Sequence, residues 1–110
     1  MSHFVTEDQA AFRDAAQAFA RKEIEPIAAQ IDREERTPPE LSRKLAEQGF
    51  FGLFIPEEYG GSGADLTATC IVLEELAKAS PAFAGLVSVE MILCPEVVMA
   101  IGNEEQKQRL

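Results

Sequence analysis

The sequence predicts an all-α protein, an up-and-down-type helical bundle of about six helices with one long apolar and glycine-rich loop. Two observations support this fold class. Apolar residues recur three and four positions apart through most of the chain, which is the spacing of a helix with one buried face. The stretch from Gly49 to Asp65 lacks this spacing and is the one long passage without a helical pattern.

The first helix is predicted from about residue 7 to residue 25. Thr6 and Gln9 form a capping-box pattern at its start, and apolar residues follow at helical spacing. Pro26 cannot continue this helix without cost, although it suits the first turn of another. We therefore expect a second helix from Pro26 to about residue 36, meeting the first at a kink.

The third helix is predicted to begin at Pro39, where proline suits a first turn, and to direct Leu41 and Leu45 inward. Gly49 can adopt the left-handed conformation that ends a helix. We then expect an extended segment with five buried apolar side chains. These are Phe50, Phe51, Leu53, Phe54 and Ile55.

Three glycines in the following loop, Gly60, Gly61 and Gly63, allow backbone angles that other residues avoid. Asp65 suits the N-cap of the fourth helix. That helix is apolar around much of its circumference, so we expect it to be the central helix of the bundle. Its main apolar face is predicted to contain Leu66, Cys70, Leu73 and Ala77, broadened by Ile71, Val72 and Leu76.

The fifth helix is predicted to start with Ser80 as N-cap and Pro81 as its first residue. Residues 82 to 94 are almost all apolar or small, and Glu90 is the only charged residue among them. So little polarity predicts burial on several sides.

Pro95 is expected to break this helix, and a further short helix would end at Gly102. Asn103 and Gln106 then form the capping pattern of a last helix. That helix has barely begun at Leu110, and no terminating glycine follows. We therefore expect the chain to be a fragment of a longer protein.

The composition is that of one globular domain: 110 residues, 46% hydrophobic and 26% charged. The net charge of −9 would repel a phosphate backbone, so no nucleic-acid partner is expected. We also expect no signal peptide and no apolar run of transmembrane length, which makes a cytoplasmic location the default expectation.

No residue pattern supports catalysis or metal binding. Cys70 and Cys94 lack the spacing of a metal or redox site and are predicted to be small buried thiols. His3, the sole histidine, lies at the terminus and is expected to be neither ligand nor base. The glycine-rich loop is not expected to bind a phosphate, because it lacks a Gly-Lys-Ser/Thr ending and carries acidic residues such as Glu57.

Residues 52 to 63, Gly-Leu-Phe-Ile-Pro-Glu-Glu-Tyr-Gly-Gly-Ser-Gly, resemble the N-terminal α-helical domain of the acyl-CoA dehydrogenase family. The helix with Leu73-Glu74-Glu75-Leu76-Ala77 and the later passage Ala100-Ile101-Gly102-Asn103-Glu104-Glu105-Gln106-Lys107 are similar to that domain too. The resemblance runs from about residue 6 to residue 110 and covers only the first of three domains. It implies that residues 1–110 are this domain, truncated in its last helix, without the flavin-binding β domain and the C-terminal helical domain.

The resemblance implies that the fifth helix forms the closed end of an acyl-chain pocket. The positions expected to line it, found by matching the glycine-asparagine landmark without gaps, are Ala84, Ser88, Val89 and Leu93. Helical periodicity alone favours the alternative that these residues are bundle core.

Two departures leave the acyl specificity open. Met91 and Ile92 stand where the family often has Asn-Ser, and the family's proline is shifted to Pro95. The small Ala84 makes a dicarboxylic substrate less expected, because glutaryl-type members carry an arginine there. Glu90 is expected to be exposed or paired, since a buried unpaired carboxylate is costly.

In the intact family, an FAD-dependent enzyme dehydrogenates an acyl-CoA thioester at its α and β carbons. The catalytic base and most flavin contacts come from the later domains, so no catalytic residue is expected in this chain, and its flavin contacts are unassigned. The resemblance further implies a homotetramer and an electron-transfer flavoprotein as electron acceptor.

Three alternatives remain open from the sequence. One is an acyl-CoA oxidase or flavin monooxygenase of the same fold. The second is a helical binding module; an acyl carrier protein is not expected, because Leu66 follows Asp65 where that family has its attachment serine. The third is a free-standing helical interaction module.

Overall fold

The computed structural model describes residues 5–109 and shows an all-α fold, which confirms the predicted class; His3 lies outside the described residues. No strand occurs in this range. The α-helices are α1 Glu7–Phe19, α2 Ala28–Glu34, α3 Pro39–Glu47, α4 Leu66–Ala79, α5 Pro81–Ser88, α6 Cys94–Ile101 and α7 Glu104–Gln108.

Helix α4 is central, as predicted, and packs against both α1 and α5. Its buried line is Ala68, Val72 and Leu76, spaced four residues apart. The predicted main face was wrong, because Leu66 and Cys70 are exposed. The remaining core is formed by apolar side chains of α1, α2, α3, the loop, α5 and the segments Ala20–Ile24 and Val89–Leu93: Ala16, Phe19, Ala20, Ile24, Ile31, Leu41, Leu45, Phe50, Leu53, Phe83, Ala84, Val87 and Met91.

One buried glutamine joins the N-termini of α1 and α4. The predicted capping box is confirmed: Thr6 N–H donates to Gln9 Oε1 at 3.0 Å, and Gln9 N–H donates to Thr6 Oγ1 at 3.1 Å. The predicted N-cap Asp65 accepts from Ala68 N–H at 2.8 Å through Oδ1. Gln9 Nε2 donates to the other oxygen, Asp65 Oδ2, at 2.9 Å.

Both prolines that were expected to interrupt helices follow a π turn. In the segments Ala20–Ile24 and Val89–Leu93 the backbone widens to i→i+5 hydrogen bonding. The first π turn continues through a 3₁₀ turn, Glu25–Ile27, into α2, so α1 ends earlier than predicted.

At the second π turn, the expected break at Pro95 was wrong. The chain is helical without interruption over Pro81–Ile101, because the wider turn accommodates a residue that has no N–H to donate.

The passage after Gly49 is compact, so the predicted extended segment was wrong. It contains two 3₁₀ turns, Phe50–Gly52 and Glu57–Tyr59. Phe50, Leu53 and Ile55 are buried, whereas Phe51 and Phe54 are only half-buried, contrary to the prediction. Backbone hydrogen bonds fold the segment onto itself, as when Ala64 N–H donates to Leu53 O at 2.8 Å.

Glycine is required in this loop for two different reasons. Gly49 ends α3 with φ of 81°, as predicted, and Gly60 and Gly63 also have positive φ. Gly61 instead permits a close backbone approach, since a Cβ there would overlap Ile55 O and lie 2.6 Å from Gly52 O.

We expect Gly61→Ala to destabilise the fold by at least about 1–3 kcal/mol, because the two obstructing atoms belong to the backbone and cannot turn away. Gly85→Ala is the matched control. Gly85 is exposed in α5 and nothing lies within 4 Å of its added Cβ, so that variant should gain about 0.5–1 kcal/mol. Urea unfolding measures both, and equal stabilities for the two variants would contradict the close packing of the loop.

Gln9→Glu should destabilise the fold by about 1–3 kcal/mol at neutral pH, because the donor to Asp65 is replaced by a second carboxylate. The loss should shrink in acid, where the pair can share a proton. Gln106→Glu changes the exposed capping box of α7, whose partner Asn103 is neutral, and is expected to cost less than about 0.5 kcal/mol. Thermal unfolding at two pH values tests the difference between the two glutamines.

Candidate ligand-binding face

The helix Pro81–Ile101 has two sides of similar apolar character but different burial. One side is fixed in the core by Phe83, Val87 and Met91, each 0% exposed. The other side, which we call the apolar face, consists of large exposed side chains: Leu86, Val89, Leu93, Val97 and Ile101, between 40% and 83% exposed. The expected burial on several sides was therefore wrong.

The four residues predicted to line a pocket lie on different sides of this helix. Ala84 is 7% exposed and belongs to the core, as the alternative interpretation expected. Val89 and Leu93 lie on the apolar face. Ser88 is half-buried, and its Oγ donates to Gly85 O at 2.8 Å. The structure thus brings Val89 and Leu93 together and separates them from Ala84, while their predicted role in ligand binding stays a prediction.

The same helix overturns the expectation that no apolar run of transmembrane length exists. Its 21 residues are long and apolar enough to cross a membrane by length and composition alone, and 22% of its most apolar 18-residue window is buried. The sequence interpretation missed this because it divided the helix at Pro95.

A cleft of about 330 Å³ separates the glycine-rich loop from the second π turn. Its walls come from the loop on one side and from Glu90, Cys94 and Pro95 on the other. Glu90 is exposed, as expected. Sequence reasoning missed this cleft, because only the folded loop brings Tyr59 opposite Pro95.

Both cysteines are exposed, so the predicted buried thiols were wrong. Cys94 lies at the wall of the cleft, and Cys70 lies on the outward side of α4, away from the buried line through Val72. Within residues 5–109 no three His, Cys, Asp or Glu side chains are grouped so as to hold a metal ion.

The glycine-rich loop uses its own N–H groups internally. Those of Gly60 to Ala64 donate without exception to carbonyl oxygens of the preceding loop, at 2.8 to 3.2 Å. Since these donors are already paired, the loop does not present them to a phosphate group.

Tyr59 links the loop to α7. Its hydroxyl donates to both carboxylate oxygens of Glu104 at 3.1 Å. Partial burial raises the pKa of the Tyr59 hydroxyl, and the hydrogen bond to the negatively charged Glu104 raises it further. The phenol therefore stays protonated and remains a donor.

Comparison with known proteins gives the family. Residues 6–110 match the model of the acyl-CoA dehydrogenase N-terminal domain, and the chain belongs to the acyl-CoA dehydrogenase family. It is 39% identical over 106 residues to the 3-(aryl)acrylate reductase of Clostridium sporogenes, covering 96% of this chain and 28% of that protein.

Two solved structures share the fold over 96% of this chain and 28% of theirs. One is a chain in the structure of the electron transferring flavoprotein of Acidaminococcus fermentans, with a TM-score of 0.91 and 36% identity. The other is butyryl-CoA dehydrogenase from Megasphaera elsdenii, with a TM-score of 0.90 and 30% identity. The chain thus spans somewhat more than a quarter of the length of these relatives.

Glu104→Gln should lower the pKa of Tyr59 toward the ordinary value of about 10, because the negative acceptor that favours the protonated phenol is removed. Tyr59 is the only tyrosine and the chain has no tryptophan, so phenolate absorbance reports on this group alone. Glu105→Gln is the control, since Glu105 pairs with Arg109 instead. Equal titration curves for the two variants would show that Tyr59 does not contact Glu104.

Proposed function

We propose that this chain is the N-terminal helical domain of a flavin-dependent acyl-CoA dehydrogenase, which removes hydrogen from the α and β carbons of an acyl-CoA thioester. The domain's part is to wall the acyl-chain pocket and to exclude water from the flavin. The observation that supports this most strongly is the apolar face. This chain belongs to the family, and a row of its large apolar side chains is exposed and not buried in the core of the domain.

Val89 and Leu93 are the residues of this chain best placed to contact an acyl chain. They combine the position predicted for the pocket with an exposed, purely aliphatic surface. Burying such side chains against a hydrocarbon is favourable by about 25 cal/mol per Å² of apolar surface. The face carries no charge among its five members, so it offers binding energy to the hydrocarbon part of a thioester and none to its phosphates.

FAD is the cofactor in this proposal, bound mainly by domains outside this chain. The paired N–H groups of the glycine-rich loop do not fit its diphosphate, whereas the apolar face fits a role in shielding a flavin from water. A bound flavin would supply the acceptor for a hydride from the β carbon. This chain contributes hydrocarbon packing and the exclusion of water.

We expect a homotetramer in the cytoplasm that passes electrons to an electron-transfer flavoprotein. The likeness to a chain in the Acidaminococcus fermentans electron transferring flavoprotein structure supports this acceptor. An oxidase or monooxygenase of the same fold differs in how its reduced flavin meets oxygen, and oxygen consumption by the reduced protein separates these alternatives.

A second candidate is the reverse reaction, the reduction of an α,β-unsaturated acyl group. The name of the similar Clostridium sporogenes protein, 3-(aryl)acrylate reductase, favours it. The apolar face would hold the hydrocarbon in the same way in either direction.

The proposal is tested by anaerobic addition of acyl-CoA thioesters to the full-length product of the gene that encodes this chain. Bleaching of a flavin spectrum by one saturated thioester supports dehydrogenation. If no saturated thioester bleaches the flavin but an enoyl thioester reoxidises the reduced flavin, the second candidate is supported. A complete, folded protein without flavin after FAD is added would contradict both.

Leu93→Asn should lower kcat/KM for the best thioester by at least about tenfold, because a polar amide would face the hydrocarbon. Leu66→Asn is the matched control: Leu66 is exposed to a similar degree, 52% against 58%, but lies on α4 away from the apolar face. Both variants should fold with little change in stability. A loss of activity of the same size in both would contradict the assignment of Leu93.

A further inference from the structure

The two π turns place the same hydrogen bond before each proline. Cys94, immediately before Pro95, donates its N–H to Val89 O, five residues earlier. Glu25, immediately before Pro26, donates to Ala20 O in the same way. In an α-helix the proline ring would clash with the carbonyl of the residue four positions earlier, and the wider turn relieves that clash.

The second π turn keeps two lines of side chains straight along the helix. Buried residues recur every four positions at Phe83, Val87, Met91 and Pro95, and exposed apolar residues recur every four at Val89, Leu93, Val97 and Ile101. In an uninterrupted α-helix each step of four residues drifts by about 40°, so three steps would turn either line by about 120°. The extra residue of the π turn reduces this drift by about 100°, so each line stays nearly straight.

We propose that Pro95 is a positioning residue: by holding the π turn Val89–Leu93, it sets the rotation of α6 and keeps Val97 and Ile101 on the same face as Val89 and Leu93. The inference rests on the proposed function for the meaning of that face as an acyl-binding surface. It extends the surface beyond Leu93 to Ile101, about 18 Å along the helix from Val89.

Without Pro95, we expect α6 to rotate while α5 stays in place. Helix α5 is fixed to α4 by the fully buried Phe83 and Val87, whereas the only buried residue of α6 is Pro95 itself. In Pro95→Ala the cause of the π turn is removed, and continuous α-helix would rotate α6 by about 100° relative to α5. Val97 and Ile101 would then leave the apolar face.

The rotation is measured as a distance between two spin labels. In this chain Cys94→Ser with Ile101→Cys leaves one thiol on α4, the exposed Cys70, and one at the end of α6. A helix with side chains has a radius of about 5–6 Å, so a 100° rotation moves the label at position 101 by about 8 Å. Pro95→Ala should shift the distance distribution, whereas Pro26→Ala, which changes the other π turn, should not.

A second variant makes the test independent of how well Pro95→Ala folds. Deleting Ile92 in the Pro95→Ala background removes the extra residue, so a continuous α-helix would again place positions 97 and 101 on the apolar face. The distance should return to that of the labelled protein that retains Pro95 and Ile92. An unchanged distance in Pro95→Ala, or a deletion variant that neither folds nor restores the distance, would overturn the proposal.

The functional consequence is measured in the full-length gene product with a series of thioesters of increasing chain length. Pro95→Ala should raise KM most for the longer chains and alter kcat less, and the deletion of Ile92 should reverse the change. A uniform change in KM across the series would overturn the proposal for substrate binding. If no thioester bleaches the flavin of the unsubstituted protein, the proposed function fails while the distance measurement still decides the role of Pro95.

Discussion

Helix α4 is the constraint on which the rest of the structure depends. It is the surface against which α1 and α5 both pack, and its buried line through Val72 and Leu76 is completely covered by them. Its N-terminus is fixed by Asp65, which caps α4 and accepts from Gln9 of the α1 capping box. Packing, capping and polar contacts thus hold the same two helices together, and this fixes the platform on which α5 lies.

Because the buried side of α5 packs against α4, the large apolar side chains on the opposite side of Pro81–Ile101 stay 40% to 83% exposed within residues 5–109. The apolar character of the helix is therefore divided between core and surface. A helix that is hydrophobic on all sides is normally buried on all sides. Since the chain belongs to the acyl-CoA dehydrogenase family, this division is the physical basis for proposing that the exposed side contacts a hydrocarbon ligand.

The sequence predicted features whose cause is local. The capping box of α1, the N-cap Asp65 and the left-handed Gly49 depend on a few neighbouring residues, and the structure contains all three. It did not predict the π turn, because proline alone indicates that a helix is disturbed and not how the backbone adjusts. That error divided one helix in two.

The candidate site was only partly predictable for the same reason. Periodicity identifies which residues share a side of a helix, but here both sides are apolar, so the sequence could not decide which side α4 covers. The family resemblance grouped Ala84 with Val89 and Leu93, and packing separates it from them. The exposure of Cys70 depends on which side of α4 is buried, and the cleft opposite Tyr59 depends on the folded loop, which no local pattern describes.

In the proposed function, the apolar face of Pro81–Ile101 contacts the acyl chain. The most direct test is photocrosslinking of the full-length gene product with an acyl-CoA that carries a diazirine at the end of its hydrocarbon chain, followed by peptide mapping. Adducts on the segment containing Val89 and Leu93, suppressed by excess unmodified thioester, are the predicted result. Adducts that excess thioester also suppresses, but that map elsewhere in this domain, such as to α1 or α2, would contradict this contact.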